Sequence, residues 1–496
     1  MLLPADRLLE LLQGELTRPG SGGDAKADVS SAQSAVMALQ LLFQRERAGA
    51  GAIHRQCHQL RNVLGTLSNR LPPSGAELCV SINEVNTSLD AVGASHDLTD
   101  IEAGWRQILF RLEALIVGLR VVPDLDGKMR VELIDLLASW EADDLVAQVG
   151  QETMLPPTAL EQIDGVQLAS YLQDRFSDPG LQVVAFRPLP GGFGKQTYLF
   201  DVAGREFSGS FVMRRDYVHP LLDNDTHLIH NEFAVIRAVH GRGFPAPEAL
   251  WLDTEHRLLP GGDFIVMRRS PGVSGGTVLK PNARVADDMA EKLARNLASL
   301  HALQPMEELA GLTESINRER WSMTLGGCVK AYLDSWLQLL QQTSHLPSPA
   351  CMSQLGWLLD NVPEMPGRPA LIHGDVGFHN FLIDDGHLTT LLDWEFSHLG
   401  DPAEDLASIR NNMGDTLDWD NFIRCYRAAG GIEIAMSRIH FFQVWGHVRN
   451  ALATTLSAPV FIDGRANDIK FVVTPHVYLP MFIRSAQQLI NAGCPG

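Results

Sequence analysis

The apolar residues of this chain follow one spacing up to about residue 150 and a different one after it. In residues 31–46, 101–120 and 128–140, apolar side chains recur every three or four positions, which is the period of an amphipathic helix. After the proline-containing stretch QETMLPPTALEQID, short runs rich in β-branched and aromatic residues appear instead. The pattern predicts a helical domain in residues 1–150 and a second domain beginning near residue 155.

Length and composition limit what such a chain can be. A chain of 496 residues exceeds what one hydrophobic core usually organises, and the content of 45% hydrophobic and 20% charged residues is typical of globular proteins. No apolar run approaches the roughly 20 residues that cross a bilayer, and the N-terminal residues lack the pattern of a secretory signal. The six cysteines are scattered without a CxxC pair, which disfavours a zinc knuckle or a disulfide framework. We therefore expect a cytoplasmic protein without a membrane partner.

The net charge excludes a further class of partner. A formal charge of −19, with no dense run of Lys and Arg, repels nucleic acid. We expect no nucleic-acid partner. Helical bundles with an apolar stripe often pair, so a homodimer through residues 1–150 is an option that the sequence leaves open.

A glycine-rich segment, LPGGFGKQTYLFDV, joins two strand-like runs. Its glycines, Gly191, Gly192 and Gly194, would let backbone N–H groups approach a phosphate closely, with Lys195 beside them. A Walker loop would need Ser or Thr after the lysine and then a helix, and the dinucleotide fingerprint also requires a helix next. The segment is therefore a candidate hairpin lid over phosphates, although a simple turn between strands would look the same.

A second pattern combines a cation and an acid. Arg214 ends the strand-like run FVMR, and Glu232 lies on the predicted helix that follows. A cation on a strand and an acid on the next helix can form an ion pair that holds nucleotide phosphates. A surface salt bridge would give the same pattern. The sequence also leaves open whether Arg214, Arg215 or Lys195 is the phosphate-binding cation.

The third pattern, HGDVGFHN followed by LLDWE, carries the most chemistry. Phosphoryl transfer needs a carboxylate that orients the attacking hydroxyl and oxygen ligands for magnesium ions. Asp375 fits the first task, and Asn380 and Asp393 fit the second, because an Asp with an Asn five residues later has the spacing of a kinase catalytic loop. A zinc site at His373 and His379 is disfavoured, since they are six residues apart in a loop. His373 is instead predicted to brace the loop.

The blocks HGDVGFHN, LLDWE and GDPAEDLA resemble the aminoglycoside phosphotransferase and choline kinase-like superfamily, which shares the protein-kinase fold. The resemblance covers about residues 180–480. It implies an α+β, protein-kinase-like bilobal fold preceded by the all-α domain. The small N-lobe, an antiparallel sheet plus one helix, would occupy residues 155–270. The large helical C-lobe, with the catalytic loop and acceptor site, would occupy residues 271–496.

The resemblance also implies roles at matching positions. ATP and Mg would be the cofactors, Asp375 would orient the acceptor hydroxyl, and Asn380 and Asp393 would bind magnesium. Adenine would bond the backbone after the strand FIVM, at Met267, Arg268 and Arg269. Asp401 and Asp405 are predicted to be structural. The family often has Lys where this chain has Arg214, and arginine keeps the charge.

The acceptor is predicted to be a small molecule with a hydroxyl group. The block DWEFSHLGDPAEDLA resembles the branch associated with acyl-CoA dehydrogenases, which implies a hydroxyacid or hydroxyacyl-CoA acceptor. Arg410, Arg438 and Arg449 are available to bind its anionic group. The alternatives are an aminoglycoside or macrolide kinase, with an acidic wall at Asp415, Asp418 and Asp420, and a nucleotide-binding pseudokinase scaffold.

Overall fold

We analysed a computed structural model of the chain. It describes residues 5–17, 25–148, 163–189, 195–216, 228–255, 258, 262–276, 285–303, 312, 318–464, 471 and 474–494. The chain divides into two compact units. The first contains residues 1–158, 336–361 and 447–493, and the second contains residues 159–335, 362–446 and 494–496. No described helix is both long enough and apolar enough to span a membrane.

The first unit is helical, as the three- and four-residue spacing predicts. Its N-terminal helices are α1 (Ala5–Thr17), α2 (Ala25–Arg70), α3 (Ala76–Ala94), α4 (Leu98–Val121) and α5 (Gly127–Gln148). Asp97 begins α4 because its side chain accepts hydrogen bonds from the Thr99 and Asp100 amides at 2.8 and 3.1 Å. Buried leucines and isoleucines of α2 and α4, such as Leu60, Leu64, Ile108 and Leu112, belong to its core.

Two glutamates of these helices bind a helix from much later in the chain, α11 (Pro349–Asp360). Buried Glu113 accepts a hydrogen bond from the Ser348 amide and buried Glu141 one from the Ala350 amide, each at 2.7 Å. Acids at a helix N-terminus satisfy amide groups that lack a partner within the helix. Burial is the largest influence on Glu141 and raises its pKa to about 7.

The second unit begins with a five-stranded antiparallel sheet in the order β1-β2-β3-β5-β4. The strands are β1 (Gln182–Leu189), β2 (Lys195–Ala203), β3 (Gly209–Asp216), β4 (Ala249–Asp253) and β5 (Phe264–Arg268). Helix α6 (Gly165–Phe176) precedes the sheet, and α7 (Ile229–Gly241) lies between β3 and β4 in the chain. One apolar cluster joins α6 to the sheet through Leu168, Leu172, Phe200, Phe211 and Phe264.

The rest of the second unit is mainly helical. Its short strands are β6 (Val273–Ser274), β7 (Ala370–Ile372), β8 (Phe381–Asp384), β9 (His387–Leu391) and β10 (His398–Gly400), which form a β6-β8-β9 sheet and a β7-β10 pair. The helices are α8 (Asp287–Ala302), α9 (Arg318–Ser322), α10 (Leu325–Gln342), α12 (Pro402–Met413), α13 (Trp419–Ala428) and α14 (Met436–Ile462), while α15 (Leu479–Ala492) belongs to the first unit. Helices α10 and α14 contribute residues to both units. The predicted fold is confirmed: an antiparallel sheet with a helix, a mainly helical lobe, and a helical region before them.

Candidate active site

Arg214 on β3 lies at the centre of a network of charged side chains. Its Nε is 3.2 Å from Glu232 Oε1 on α7, and its guanidinium also bonds Asp393 and lies 3.6 Å from Glu395 Oε2. Successive side chains of a strand point to opposite faces, so Arg215 points away and its Nε donates to Gln196. The geometry therefore pairs Arg214, and not Arg215, with Glu232.

Burial and charge together set the proton affinities in this network. Burial raises the pKa of Glu232 to about 7, although Arg214 lowers it, and raises the pKa of Glu395 to about 8 with the help of the Asp393 charge. Burial alone would lower the pKa of Arg214, but Asp393, Glu232 and Glu395 outweigh it and raise the pKa. The network therefore retains a fixed positive charge among closely spaced carboxylates.

Lys195, predicted beside the glycine-rich loop, begins β2 and is buried. Its Nζ is 2.6 Å from Asp216 Oδ1 and 3.9 Å from Glu395 Oε2. Asp216 Oδ2 accepts a hydrogen bond from the Ile229 amide at 3.2 Å, at the first residue of α7. Asp216 thus connects Lys195 to the helix that carries Glu232. Gly191, Gly192 and Gly194 lie outside the described residues.

The loop after β7 is held by a buried carboxylate and by close packing. Asp405 on α12 accepts hydrogen bonds from the His373 and Gly374 amides at 2.9 and 2.7 Å. Gly374 has a φ of 82°, and a Cβ there would be 2.5 Å from the Phe396 carbonyl oxygen. Only glycine fits this conformation and this space.

His373 braces the same loop, as predicted. Its Nε2 lies 2.9 Å from the Leu392 carbonyl oxygen, and its Nδ1 accepts a hydrogen bond from the Asp375 amide at 3.2 Å. These two partners assign the proton to Nε2. Burial lowers the pKa of His373, which favours the neutral ring.

Asp375 and Asn380 are in direct contact. The Asn380 Nδ2 donates to the Asp375 backbone oxygen at 2.9 Å and to its Oδ2 at 3.0 Å. The Asn380 backbone oxygen accepts from the Leu392 amide at 2.7 Å, which ties the loop to the segment that carries Asp393. Asp393 has a φ of 63°, an unfavourable backbone conformation for a side chain with a Cβ and one that recurs at functional sites.

Asn380 and Asp393 carry the oxygen donors that magnesium prefers. Magnesium usually takes one or two protein ligands and completes its shell with water and phosphate oxygens, so two such residues are sufficient. Within the described ranges no group of three or more His, Cys, Asp and Glu side chains is arranged to hold a metal ion. Two oxygen-donating residues fit a magnesium ion that also binds the phosphates of a nucleotide.

Met267, Arg268 and Arg269 lie where the sheet ends. Met267 is buried in β5, and the Arg268 and Arg269 amides donate to the Glu248 and Ser210 carbonyl oxygens at 2.9 and 3.0 Å. Adenine recognition through these two N–H groups would require exchange of those partners.

The arginines and aspartates suggested for acceptor binding have diverse environments. Arg438 is buried, and its Nε donates to Asp401 Oδ2 at 2.9 Å, so it supports α12 and does not fit the expected role of an acceptor-binding cation. Arg449 is buried and bonds Asn450, while half-buried Arg410 lies over the Trp419 ring, 5.1 Å from its centroid.

Of the aspartates suggested for an acidic wall, Asp418 begins α13, because its Oδ1 accepts a hydrogen bond from the Asn421 amide at 3.0 Å. The Asp415 side chain lies outside the described part of the chain.

Sequence reasoning missed three polar residues of the site: Asp216, His379 and Glu395. Asp216 follows Arg215 in MRRD, and Glu395 lies two residues after Asp393 in LLDWE. Their closeness in sequence to predicted site residues could have identified them. His379 was considered only as a zinc ligand. Its Nε2 lies 3.2 Å from Asp375 Oδ2.

Two features together define the class of protein. Arg214 on the sheet is paired with Glu232 on α7, and the loop with Asp375 and Asn380 is followed by Asp393. This is the arrangement of a kinase-like phosphotransferase. The family model named APH, phosphotransferase enzyme family, matches residues 185–442, more than half of the chain. The chain belongs to this family.

Individual relatives come from two groups of proteins. Acyl-CoA dehydrogenase family member 11 of Gallus gallus is 27% identical over 318 residues, which cover 56% of this chain and 39% of that protein. Viomycin phosphotransferase of Streptomyces vinaceus is 29% identical over 168 residues, 31% of this chain and 52% of its own. A solved macrolide 2'-phosphotransferase from Brachybacterium faecium aligns at 18% identity over 62% of this chain and 97% of its own, with a TM-score of 0.42. The chain spans less than half of the length of the chicken relative.

Proposed function

We propose that this phosphotransferase uses ATP and Mg to phosphorylate the hydroxyl group of a small molecule. The observation that carries the proposal is the network in which Arg214 contacts both Glu232 and Asp393, in the same unit as the Asp375–Asn380 pair. Membership of a phosphotransferase family supports the reaction class.

Each residue has a chemical task in this proposal. Asp375 accepts the hydrogen bond of the acceptor hydroxyl and orients its oxygen toward the γ-phosphoryl group. Arg214, held by Glu232, keeps a positive charge where phosphate oxygens bind. Asn380 and Asp393 would hold magnesium through their side-chain oxygens, and the ion would supply positive charge to the phosphates. Gly191, Gly192, Gly194 and Lys195 cover the phosphates, and the backbone from Met267 to Arg269 borders the adenine.

We propose a hydroxyacid or a hydroxyacyl-CoA as the acceptor. The similarity to acyl-CoA dehydrogenase family member 11 supports this choice, and the sequence block DWEFSHLGDPAEDLA agrees with it. Phosphorylation would convert the hydroxyl into a better leaving group for a later elimination. An antibiotic O-phosphotransferase is the second candidate, and the similarity to viomycin phosphotransferase favours it. A cytoplasmic location and a homodimer through the N-terminal helices stay predictions.

The test is magnesium-dependent ADP release with two acceptor panels, hydroxyacids with their CoA thioesters, and aminoglycosides with macrolides. Asp375→Asn is the inactive control, and Asp384→Asn, at an exposed position of β8, is the matched active control. Turnover confined to the first panel supports the proposed acceptor, and turnover confined to the second supports the antibiotic kinase. Nucleotide binding without turnover in either panel would support the pseudokinase alternative.

A further inference from the structure

His379 contacts the proposed catalytic carboxylate but has no role in the function described above. It is part of a 3-10 turn, Phe378–Asn380, in the loop after β7. Its Nε2 lies 3.2 Å from Asp375 Oδ2, and both side chains are about one-fifth exposed, at 19% and 21%. A partly covered contact of this kind constrains the carboxylate without removing it from solvent and substrate.

Two donors meet at one oxygen of Asp375. The Asn380 Nδ2 donates to Oδ2 at 3.0 Å, and Nε2 of His379, the preceding residue of the turn, approaches the same atom. Contacts from two directions at one oxygen restrict rotation of the carboxyl group about its last side-chain bond. By holding Oδ2, they also fix the direction in which the other oxygen, Oδ1, points.

The loop is shaped to hold the imidazole in this place. A Cβ at Gly377 would be 2.7 Å from His379 Cε1 and 2.8 Å from its Nδ1, closer than Cβ atoms approach other atoms in proteins. Gly377 has an extended backbone with a φ of −165°, so space, and not conformational freedom, is what requires glycine there. The ring of His379 and a side chain at position 377 exclude each other.

A separate set of contacts fixes the backbone of the loop. From α12, Ser408 Oγ and Asn412 Nδ2 each donate to the Val376 carbonyl oxygen at 3.1 Å. The Asp375 amide is bonded to His373. The contacts with His379 and Asn380, in contrast, act on the Asp375 carboxylate itself.

We propose that His379 is a positioning residue for the phosphotransfer reaction, which donates a hydrogen bond from Nε2 to Asp375 Oδ2 and presents Oδ1 to the acceptor hydroxyl. This inference rests on the proposed function of Asp375. Misplacement of a catalytic group by about 1 Å can slow a reaction by about 100-fold. We therefore expect His379→Leu to lower kcat by about 10- to 100-fold with little change in the KM for ATP.

A conservative variant separates positioning from a merely structural role. In His379→Gln, the side-chain amide nitrogen can occupy the place of Nε2, and we expect most of kcat to return. His387→Leu, at an exposed histidine on β9, is the matched control and should keep the wild-type kcat. Equal loss of kcat in the Leu and Gln variants, or a wild-type kcat in His379→Leu, would overturn the inference.

The contact between Gly377 and the ring gives a second test. Gly377→Ala should displace the imidazole and lower kcat, whereas in the His379→Leu background the same change should add little, so the two effects should not be additive. A Cβ at position 377 would also lie 2.9 Å from Asn412 Nδ2. Any loss of kcat that Gly377→Ala still causes in the His379→Leu background therefore measures the effect of that second contact. Full additivity would contradict the proposal.

Failure of this inference can be distinguished from failure of the proposed function. If Asp375→Asn retains turnover, the function assigned to Asp375 is wrong. If Asp375→Asn is inactive while His379→Leu is fully active, only the role of His379 is wrong. If no tested acceptor is phosphorylated, crystal structures of the wild type and of His379→Leu still decide, since we expect the Asp375 carboxylate to rotate in the variant. An unchanged carboxylate would overturn the proposal.

Discussion

At the scale of single residues, Arg214 is the cation that links the acidic side chains of the candidate site. Its side chain is 13% exposed and contacts Glu232, Asp393 and Glu395. Removing one partner of a buried ion pair is costly because the remaining charge loses its compensation. Arg214 is therefore expected to support both nucleotide affinity and stability.

Replacement of Arg214 by Met should weaken nucleotide binding at least about tenfold, the effect of losing about 1.4 kcal/mol. It should also lower the free energy of unfolding by about 3 kcal/mol, because buried carboxylates lose their counter-ion. Calorimetric titration with ATP and Mg and chemical denaturation measure the two effects. Arg205→Met, at a side chain that is 77% exposed, should change neither. Wild-type ATP affinity in Arg214→Met would contradict the assignment of this cation.

Much of the candidate site could be predicted from the sequence because its groups lie in short motifs. HGDVGFHN and LLDWE place Asp375, Asn380 and Asp393 at fixed distances along the chain, and kinase chemistry explains those residue types. Which of Arg214 and Arg215 pairs with Glu232 depends on the face of β3 that each side chain occupies. A shift of the strand by one residue would exchange the two faces, so the sequence alone could not decide between them. The bonding of Arg438 to Asp401 depends on helices that are distant in sequence, so no local pattern showed it.

At the scale of structural elements, backbone shape and helix ends determine where the proposed catalytic groups lie. The loop after β7 turns at Gly374, and Asp405 at the beginning of α12 holds its amides. Asp405 has a lowered pKa: although burial raises it, the hydrogen bonds from His301 and from the His373 amide outweigh that effect. The loop is therefore held by a carboxylate that stays ionised.

Gly374→Ala should destabilise the protein more than a glycine-to-alanine change whose only cost is the positive φ of the backbone. Gly386 has a similar φ of 77° but no atom within 4 Å of its would-be Cβ, so Gly386→Ala isolates that cost, about 1 kcal/mol. At Gly374 the collision with Phe396 adds to it, and turnover should fall as the loop shifts. Urea denaturation and ADP release compare the two variants. Equal destabilisation would show that the loop has room to adapt.

Arg438→Met tests the structural role that the buried pair with Asp401 implies. We expect a loss of about 3 to 5 kcal/mol of stability, because Asp401 would remain buried without its partner. The exposed pair of Arg427 and Glu433 is the control, and Arg427→Met should cost at most about 1 kcal/mol. A stable Arg438→Met variant with only a raised KM for the acceptor would restore Arg438 as an acceptor-binding residue.

At the scale of the whole molecule, the chain builds its first unit from three separate stretches. Residues 336–361 and 447–493 join the N-terminal helices in that unit. The periodicity of residues 1–150 predicted helices correctly, but it could not show that α11 and α15 share their unit. Contacts such as Glu141 with the Ala350 amide join residues separated by more than 200 positions, which periodicity does not report.

The buried Glu141 should make the stability of this unit depend on pH. Its folded pKa is raised from 4.5 to about 7, so the folded state favours the protonated acid. The stabilisation is present below pH 4.5 and is lost as the pH rises through 7, by up to about 3 kcal/mol. Glu141→Gln, which cannot ionise, should be more stable than the wild type at pH 8 and should lose this dependence. Glu77→Gln, at an exposed position, should behave as the wild type, and the same result for Glu141→Gln would contradict the account.

The measurement that tests the central claim most directly is phosphorus NMR of the reaction with ATP, Mg and an accepted hydroxyl compound. Catalysis by a small-molecule kinase predicts a phosphomonoester signal that grows in step with ADP, and Asp375→Asn should abolish it while nucleotide binding persists. Asp384→Asn should give the wild-type rate. Only inorganic phosphate from the wild type, or an undiminished phosphomonoester signal from Asp375→Asn, would contradict the account.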